Sequence, residues 1–232
     1  MTQRALIAWS GGKDSALALH EVQRAGEPDV AALLTTVTEE YDRISMHGIR
    51  RELLERQAES IRLPLLIVWI PGGCSDEEYG TRMRAMLEDQ KAHGVSSVIF
   101  GDVFLEDVRL YREGNLGQVD MRAVFPLWRR DTAELARQFI ERDFRAVTTC
   151  VDSEHLDREF VGREFDAAFL ADLPDGTDPC GENGEFHTFV YDGPIFRQPI
   201  AHTLGDIVLR DERFWYCDAL PSRPGSQRGD AQ

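Results

Sequence analysis

The chain has 232 residues, 42% of them hydrophobic and 29% charged, a balance that fits a globular protein with a real core and excludes collagenous, wholly disordered and small disulfide-stapled chains. Lys and Arg number 26 against 41 Asp and Glu, a net charge of −15, and a surface that acidic repels phosphate backbones and argues against a general nucleic-acid binder. The longest apolar run, Leu65–Ile70, is strand length and far short of the roughly 18–20 residues of a membrane span; with no signal-peptide pattern at the N-terminus, the expectation is a cytoplasmic protein without a membrane partner.

Strand and helix signals alternate through the first half of the chain. Ala5–Trp9 is an apolar run stopped by Gly11-Gly12, and Lys13–Ala25 then carries helical spacing. Val30–Val37 reads as a buried strand, Ile49–Arg62 as a helix ended before Pro64, and Leu65–Ile70 as the next strand. Ser75 caps a helix over Asp76–His93, where Glu77 and Glu78 suit the positive end of the dipole. Gly94 ends that helix, and Val98–Phe100 is a strand running into Gly101-Asp102. Such alternation implies βαβ units and a parallel sheet with flanking helices.

The pattern breaks near Pro126. Asp131 caps a helix over Thr132–Arg142, Ala146–Val151 is a strand, and Phe160–Leu173 has helical character. Residues 174–184 (PDGTDPCGENG) are turn-rich. Phe186–Tyr191 alternates as a strand, and Ile207–Cys217 supplies one or two more. The expected organisation is a first domain over 1–127, a second over 128–220 and a disordered tail over 221–232, which lacks large apolar residues. Cys74, Cys150, Cys180 and Cys217 form no CxxC pair, which excludes zinc-ribbon and iron–sulfur spacings and leaves four reduced thiols, buried or reactive.

Ser10-Gly11-Gly12-Lys13-Asp14-Ser15 follows the first strand and opens the first helix. Unpaired N–H groups and the helix dipole make that position attractive to anions. Two glycines allow close approach of the backbone, Ser10 and Ser15 add hydroxyls, and Lys13 adds a mobile positive charge. Asp14 offers hard oxygen to a divalent cation bound alongside phosphate. The spacing is neither GxxxxGK[ST] nor GxGxxG. It looks like the SGGxDS loop of the ATP pyrophosphatase (PP-loop) superfamily, whose members cleave ATP between the α- and β-phosphates. Gly101-Asp102 sits at the carboxyl end of a predicted strand, the edge where open α/β sheets bind ligands, and Asp102 is either a nucleotide or metal contact or a helix cap.

A second concentration of functional groups spans Cys180–Thr188, CGENGEFHT. Glu182, Glu185 and His187 are candidate acids, bases or ligands; the plain alternative is a solvated hairpin loop. His47-Gly48 is a further loop candidate, and Met83, Met86 and Leu87 read as core. Glu106, Arg109 and Arg112 follow Gly101-Asp102 at near-helical spacing and read either as an exposed charged face, the reading preferred, or as groups that reach the substrate.

SGGKDS at 10–15, GD at 101–102, PLW at 126–128 and CGENGEFHTFVYDGP at 180–194 together resemble the diphthine–ammonia ligase family over roughly residues 5–200. The resemblance implies a Rossmann-like (HUP-type, adenine-nucleotide α-hydrolase) ATP-binding domain followed by a smaller α/β domain. It implies an AMP-forming ligase that adenylates a substrate carboxylate with ATP and Mg2+ and amidates it with ammonia. Carried over by position, Ser10, Gly11, Gly12, Lys13, Asp14, Ser15, Gly101 and Asp102 would hold ATP, and Asp14 the magnesium. Asp14, Glu182, Glu185 and His187 would serve catalysis, with Glu182, Gly184 and Glu185 facing the acceptor. The motif departs from the family's usual EGGE form, with Asn183 in place of a glycine and His187 in place of a glutamate, and resembles a bacterial branch. For that branch the acceptor need not be diphthine, and it is protein-borne or related to cobalamin. The alternatives weighed beside this are a cobalamin-salvage enzyme, a tRNA-modifying PP-loop enzyme and an ATP-binding sensor. The charge does not forbid a homodimer.

Overall fold

The computed structural model describes residues 3–44 and 48–222. Five strands form a parallel sheet: β1 (Arg4–Ala8), β2 (Asp29–Thr38), β3 (Leu65–Ile70), β4 (Val95–Ile99) and β5 (Arg122–Val124), in the order β3-β2-β1-β4-β5. The helices between them are α1 (Lys13–Ala25), α2 (Arg51–Ile61), α3 (Asp76–Ala92) and α4 (Glu106–Gly117). The chain order reverses between β1 and β4, so their carboxyl ends splay and open a crevice.

A second, antiparallel sheet is built from β6 (Arg145–Asp152), β7 (Phe186–Asp192), β8 (His202–Arg210) and β9 (Phe214–Pro221), in the order β7-β6-β9-β8. Helices α5 (Thr132–Glu141) and α6 (Ala167–Asp172) accompany it. The expected α/β class and parallel sheet are therefore present. Among the described residues no helix is long and apolar enough to cross a membrane.

Helix α1 explains how the two sheets meet. It contacts β1 on one side and β7 on the other. A helix covered from both sides buries residues around most of its circumference, and Ser15, Ala16, Leu17, Ala18, Leu19 and Val22 are all buried. Its small residues permit that double approach, and Gly26, left-handed at φ 77°, ends it. One apolar core runs from Ile7 and Leu53 through Leu17 to Phe139, Phe169, Phe186 and Phe189.

Helices α3 and α4 cover the other face differently. Each buries a single residue completely, Leu87 and Leu116. The space left beneath them continues into the crevice.

Two local expectations are corrected. Phe160–Leu173 is no continuous helix: a 3-10 turn over Arg158–Phe160 and the short α6 flank an extended piece, where Gly162 is left-handed and Glu164 bridges Val147 of β6. Pro221 closes β9 instead of opening the tail, and Ser222 N–H donates to Ala201 O at 3.2 Å. The rest of the expected tail lies outside the described residues. Element α4 and the short β5 carry too little periodicity to be read as elements from the sequence.

Candidate active site

The phosphate-type loop forms as its residue types require. Gly11 is left-handed at φ 76°, and a Cβ there would stand 2.8 Å from Leu54 Cδ2 and 2.9 Å from Gln57 Oε1. Ser10 Oγ accepts from Gly12 N–H at 3.2 Å, and Ser15 Oγ donates to Gly12 O at 2.9 Å. Gln57 lies beneath, fully buried. Its Nε2 donates to Gly11 O at 3.1 Å and Val190 O at 2.6 Å, and its Oε1 accepts from Trp9 Nε1 at 2.8 Å.

The second polar cluster is brought to this loop by β7. Lys13 N–H donates to Thr188 Oγ1 at 3.1 Å, and Lys13 Nζ donates to Cys180 O and to both carboxylate oxygens of Asp14, at 2.9 and 2.8 Å. Lys13 is only 4% exposed. Burial opposes its charge most strongly, but Asp14, with Cys180 and Glu182 adding to it, holds the ammonium above its usual range. Lys13 is thus a buried cation shared between the two loops, not a mobile one.

Glu182 reaches in the other direction. Its Oε1 accepts from Val103 N–H at 2.7 Å, tying the 178–185 loop to the segment after β4. Burial pushes this carboxyl up to about 7, against the pull of the Val103 N–H and with further push from Asp14. Glu185 has a different place. It is buried and accepts from Asp178 N–H, Asn183 N–H and Asn183 Nδ2 at 3.0, 3.0 and 2.9 Å. Burial works against its charge, but those hydrogen bonds hold the carboxyl below the usual range. It organises the loop, and it is not among the residues lining the cavity.

The cavity is about 640 Å³ and opens at the carboxyl edge of the parallel sheet. Ser10, Lys13, Asp14, Ser15, Gly101, Asp102, Glu182 and His187 all line it, so most of the sequence-derived candidates converge. Gly11 and Gly12 do not line it directly and act through the backbone turn. His187 is strongly desolvated, and burial, with Lys13 adding to it, lowers its ring to about 4, so it is neutral at physiological pH. Gly101 packs against α1: a Cβ there would stand 2.8 Å from the Asp14 carbonyl carbon. Asp102 caps no helix, since α4 starts at Glu106 behind Leu105. His47 lies outside the described residues.

Met83, Met86 and Leu87 of α3 belong to the second apolar cluster as read, and Met83 and Leu87 also line the cavity. Arg112 of α4 departs from the exposed-face reading and turns into the cavity. Arg109 instead stacks on Trp128 and Phe125, at 4.7 and 5.1 Å from their ring centres, while Glu106 pairs with Arg129 at 3.5 Å. Gln57 carried no signal of its own, because an amide on a helix gives no motif until its neighbours are known. A cavity of this size, largely apolar with a few converging polar groups, is suited to a nucleotide-sized ligand.

Comparison with known proteins agrees along most of the described length. Residues 3–119 match the diphthamide synthase N-terminal domain, and residues 131–219 match the diphthamide synthase C-terminal domain. A diphthine–ammonia ligase of Danio rerio is 26% identical over 227 residues, covering 88% of this chain and 88% of the fish protein. The Homo sapiens diphthine–ammonia ligase is 25% identical over 224 residues, covering 86% of this chain and 83% of its own length. A third, from Schizosaccharomyces pombe, is 23% identical over 218 residues, and the match spans 36% of that longer protein. A loop at the β1–α1 junction, welded through Lys13 to the loop before β7, is what these two matched domains share across their junction, and this chain belongs to the diphthamide synthase family.

Proposed function

We propose that the protein is an AMP-forming ligase that activates a substrate carboxylate with ATP and converts it to an amide with ammonia. The observation that carries this is the opening of two chemically distinct loops, 10–15 and 178–188, onto one cavity at the switch point of a parallel sheet. Family membership, through relatives named for this reaction, supports it. The division of labour follows residues 1–127 for the nucleotide and 128–220 for the acceptor side.

A carboxylate and ammonia form a salt, not an amide, because oxide is a poor leaving group. Adenylation replaces it with AMP. In this reading the start of α1, where Asp14 and Ser15 line the cavity, receives the ATP phosphates, with Ser10 as a hydroxyl donor, while the Ser15 hydroxyl braces the turn by donating to Gly12 O. The acceptor carboxylate attacks the α-phosphorus, pyrophosphate leaves, and ammonia displaces AMP from the acyl-adenylate. Glu182 is the favoured base for ammonium: it lines the cavity, and a carboxyl near 7 can both take and release a proton at neutral pH. His187, lowered to about 4, is a neutral hydrogen-bonding wall group, and Glu185 holds the loop that presents Glu182.

Magnesium fits the donor set. Among the described residues no group of three or more ligating side chains is placed to hold a metal ion, yet magnesium beside phosphate needs only one or two carboxylates. Asp14 and Asp102 line the cavity, and Asp102 Oδ2, although Arg112 Nε stands 2.7 Å away, completes no hydrogen bond with it. These two would hold the ion, which when bound supplies charge stabilisation to the phosphates. A cobalamin-salvage enzyme, a tRNA-modifying enzyme and a sensor gain no support from the comparisons.

The test is release of AMP and pyrophosphate from ATP with magnesium and ammonium over a panel of carboxylate acceptors that includes a diphthine-bearing protein. AMP formation that depends on one acceptor and on ammonium is expected. Formation of ADP, or amide formation without ATP, would refute the reading.

A further inference from the structure

Lys13 and Arg112 are the two cavity-lining residues, among those described, that are positive at neutral pH. Lys13 is spent on Asp14 and Cys180 O. Arg112 is held differently. Its guanidinium carbon lies 4.5 Å from the centre of the Phe100 ring, so the plane is supported from one face. Asp102 faces the Nε–Nη2 edge: Nη2 donates to Oδ1 at 3.0 Å, and Nε stands 2.7 Å from Oδ2. That second approach is short but off-axis, and both Nε and Oδ2 are buried without completing a hydrogen bond. Nη1 has no partner among the described residues. Phe100 is itself stacked on Phe125 at 5.5 Å, so the platform is rigid.

The position of this group matters. Gly101, one residue before Asp102, touches the backbone of Asp14 and Ser15. The guanidinium is therefore anchored through Asp102 beside the first turn of α1. A polyphosphate received at that turn adds several negative charges to a wall that already carries Asp14, Asp102 and Glu182. An arginine fork with free donors and a fixed plane is the group that pairs with phosphate oxygens.

We infer that Arg112 is a nucleotide-binding residue that donates to a phosphate oxygen of ATP from its Phe100–Asp102 cradle. This rests on the ATP reading above. An acceptor carboxylate offers the same oxyanion chemistry, and the choice of ligands separates the two sources.

The experiment is calorimetric binding of ATP, AMP and adenosine, without acceptor, to the wild-type chain and to Arg112→Gln and Arg112→Lys, with circular dichroism to confirm folding. A charge-assisted hydrogen bond of about 1.5–3 kcal/mol corresponds to a loss of about ten- to a hundredfold. Arg112→Gln is expected to weaken ATP by that factor and leave adenosine within twofold. Arg112→Lys keeps the charge but loses the fork and the stacking, and is expected to weaken ATP at least threefold. Unchanged ATP affinity in both variants would assign Arg112 to the acceptor or to packing and overturn the inference. Equal losses for ATP and adenosine would also overturn it, by showing a general change in the cavity. Wild-type protein that binds no ATP would remove the nucleotide reading itself, a result distinct from either.

Discussion

Replacing Gln57 by leucine tests how the phosphate loop is held. The amide makes three hydrogen bonds inside the core, two to carbonyls and one from the Trp9 indole. At about 1 kcal/mol net each, their loss costs about 3 kcal/mol. The effects on the partners differ. Gly11 O keeps the Val190 N–H at 2.9 Å, but Trp9 is 2% exposed and its Nε1 loses its acceptor. A stranded buried donor carries the full desolvation penalty, about 1–3 kcal/mol, and makes up much of that total. For a chain of this size about 3 kcal/mol lowers the melting temperature by roughly 6–12 °C. Thermal unfolding followed by circular dichroism measures it. ATP titration at 15 °C, well below the transition, reads the loop separately, and at least a fivefold loss of affinity is expected because Gly11 O loses one of its two donors and the turn is held by the Val190 N–H alone. The double variant Trp9→Phe/Gln57→Leu removes the stranded donor and is expected to be less destabilised than the two single changes added together. A melting temperature within 2 °C of wild type for Gln57→Leu, or strict additivity in the double variant, would falsify this account of the loop's support.

Four further predictions follow the same geometry. Asp14→Ala strands the buried Lys13 ammonium and is expected to cost on the order of 3–5 kcal/mol; adding Lys13→Met should restore the melting temperature but not AMP formation. Gly101→Ala drives a Cβ to 2.8 Å from the Asp14 backbone, and ATP affinity should fall while the secondary structure measured by circular dichroism persists. The Glu182 carboxyl is raised from 4.5 to about 7 in the folded chain, so the folded state holds a proton that the unfolded state has lost. Stability should decline as pH rises from about 4.5 to 7, by a few kcal/mol at most, and Glu182→Gln should flatten that decline while AMP formation loses its rise near pH 7. Asp218 is the opposite case: burial opposes its charge, but Arg43 and Arg50 hydrogen bonds lower it from 3.8 to about 2. Its contribution is complete above about pH 4 and is lost as pH falls through about 2. After allowance for partial exposure this is about 1–2 kcal/mol, and denaturant midpoints of Asp218→Asn and wild type should converge only at the acid end.

The parallel sheet was legible because its signals are local. Apolar runs punctuated by Gly, Pro and capping residues mark β1, α1, β3 and α3, and Ser75 and Asp131 cap their helices as their side chains allow, accepting from Glu78 and Glu134 N–H. The SGGKDS loop was legible for the same reason: its chemistry lies in six consecutive residues at one strand–helix junction. The helix expected over Phe160–Leu173 failed because aromatic spacing there reflects packing of Phe160, Phe165 and Phe169 against one another and against Phe186 from separate short pieces.

By itself, then, the sequence determined the α/β class, the order of the main elements and the two polar motifs, since each depends on neighbours within a few residues. Tertiary structure alone decided which side chains of those motifs meet. It turned Lys13 from a mobile charge into a buried tie to Cys180 O, and it separated Glu182, at the cavity wall, from Glu185, inside the loop. It also brought in Gln57, which no motif marked, and it turned Arg112, but not Arg109, into the cavity. The physical reason is one of range: burial and an opposing charge are properties of groups distant in the chain, such as Lys13 and Cys180 or Gln57 and Val190, and only the packed chain assigns them.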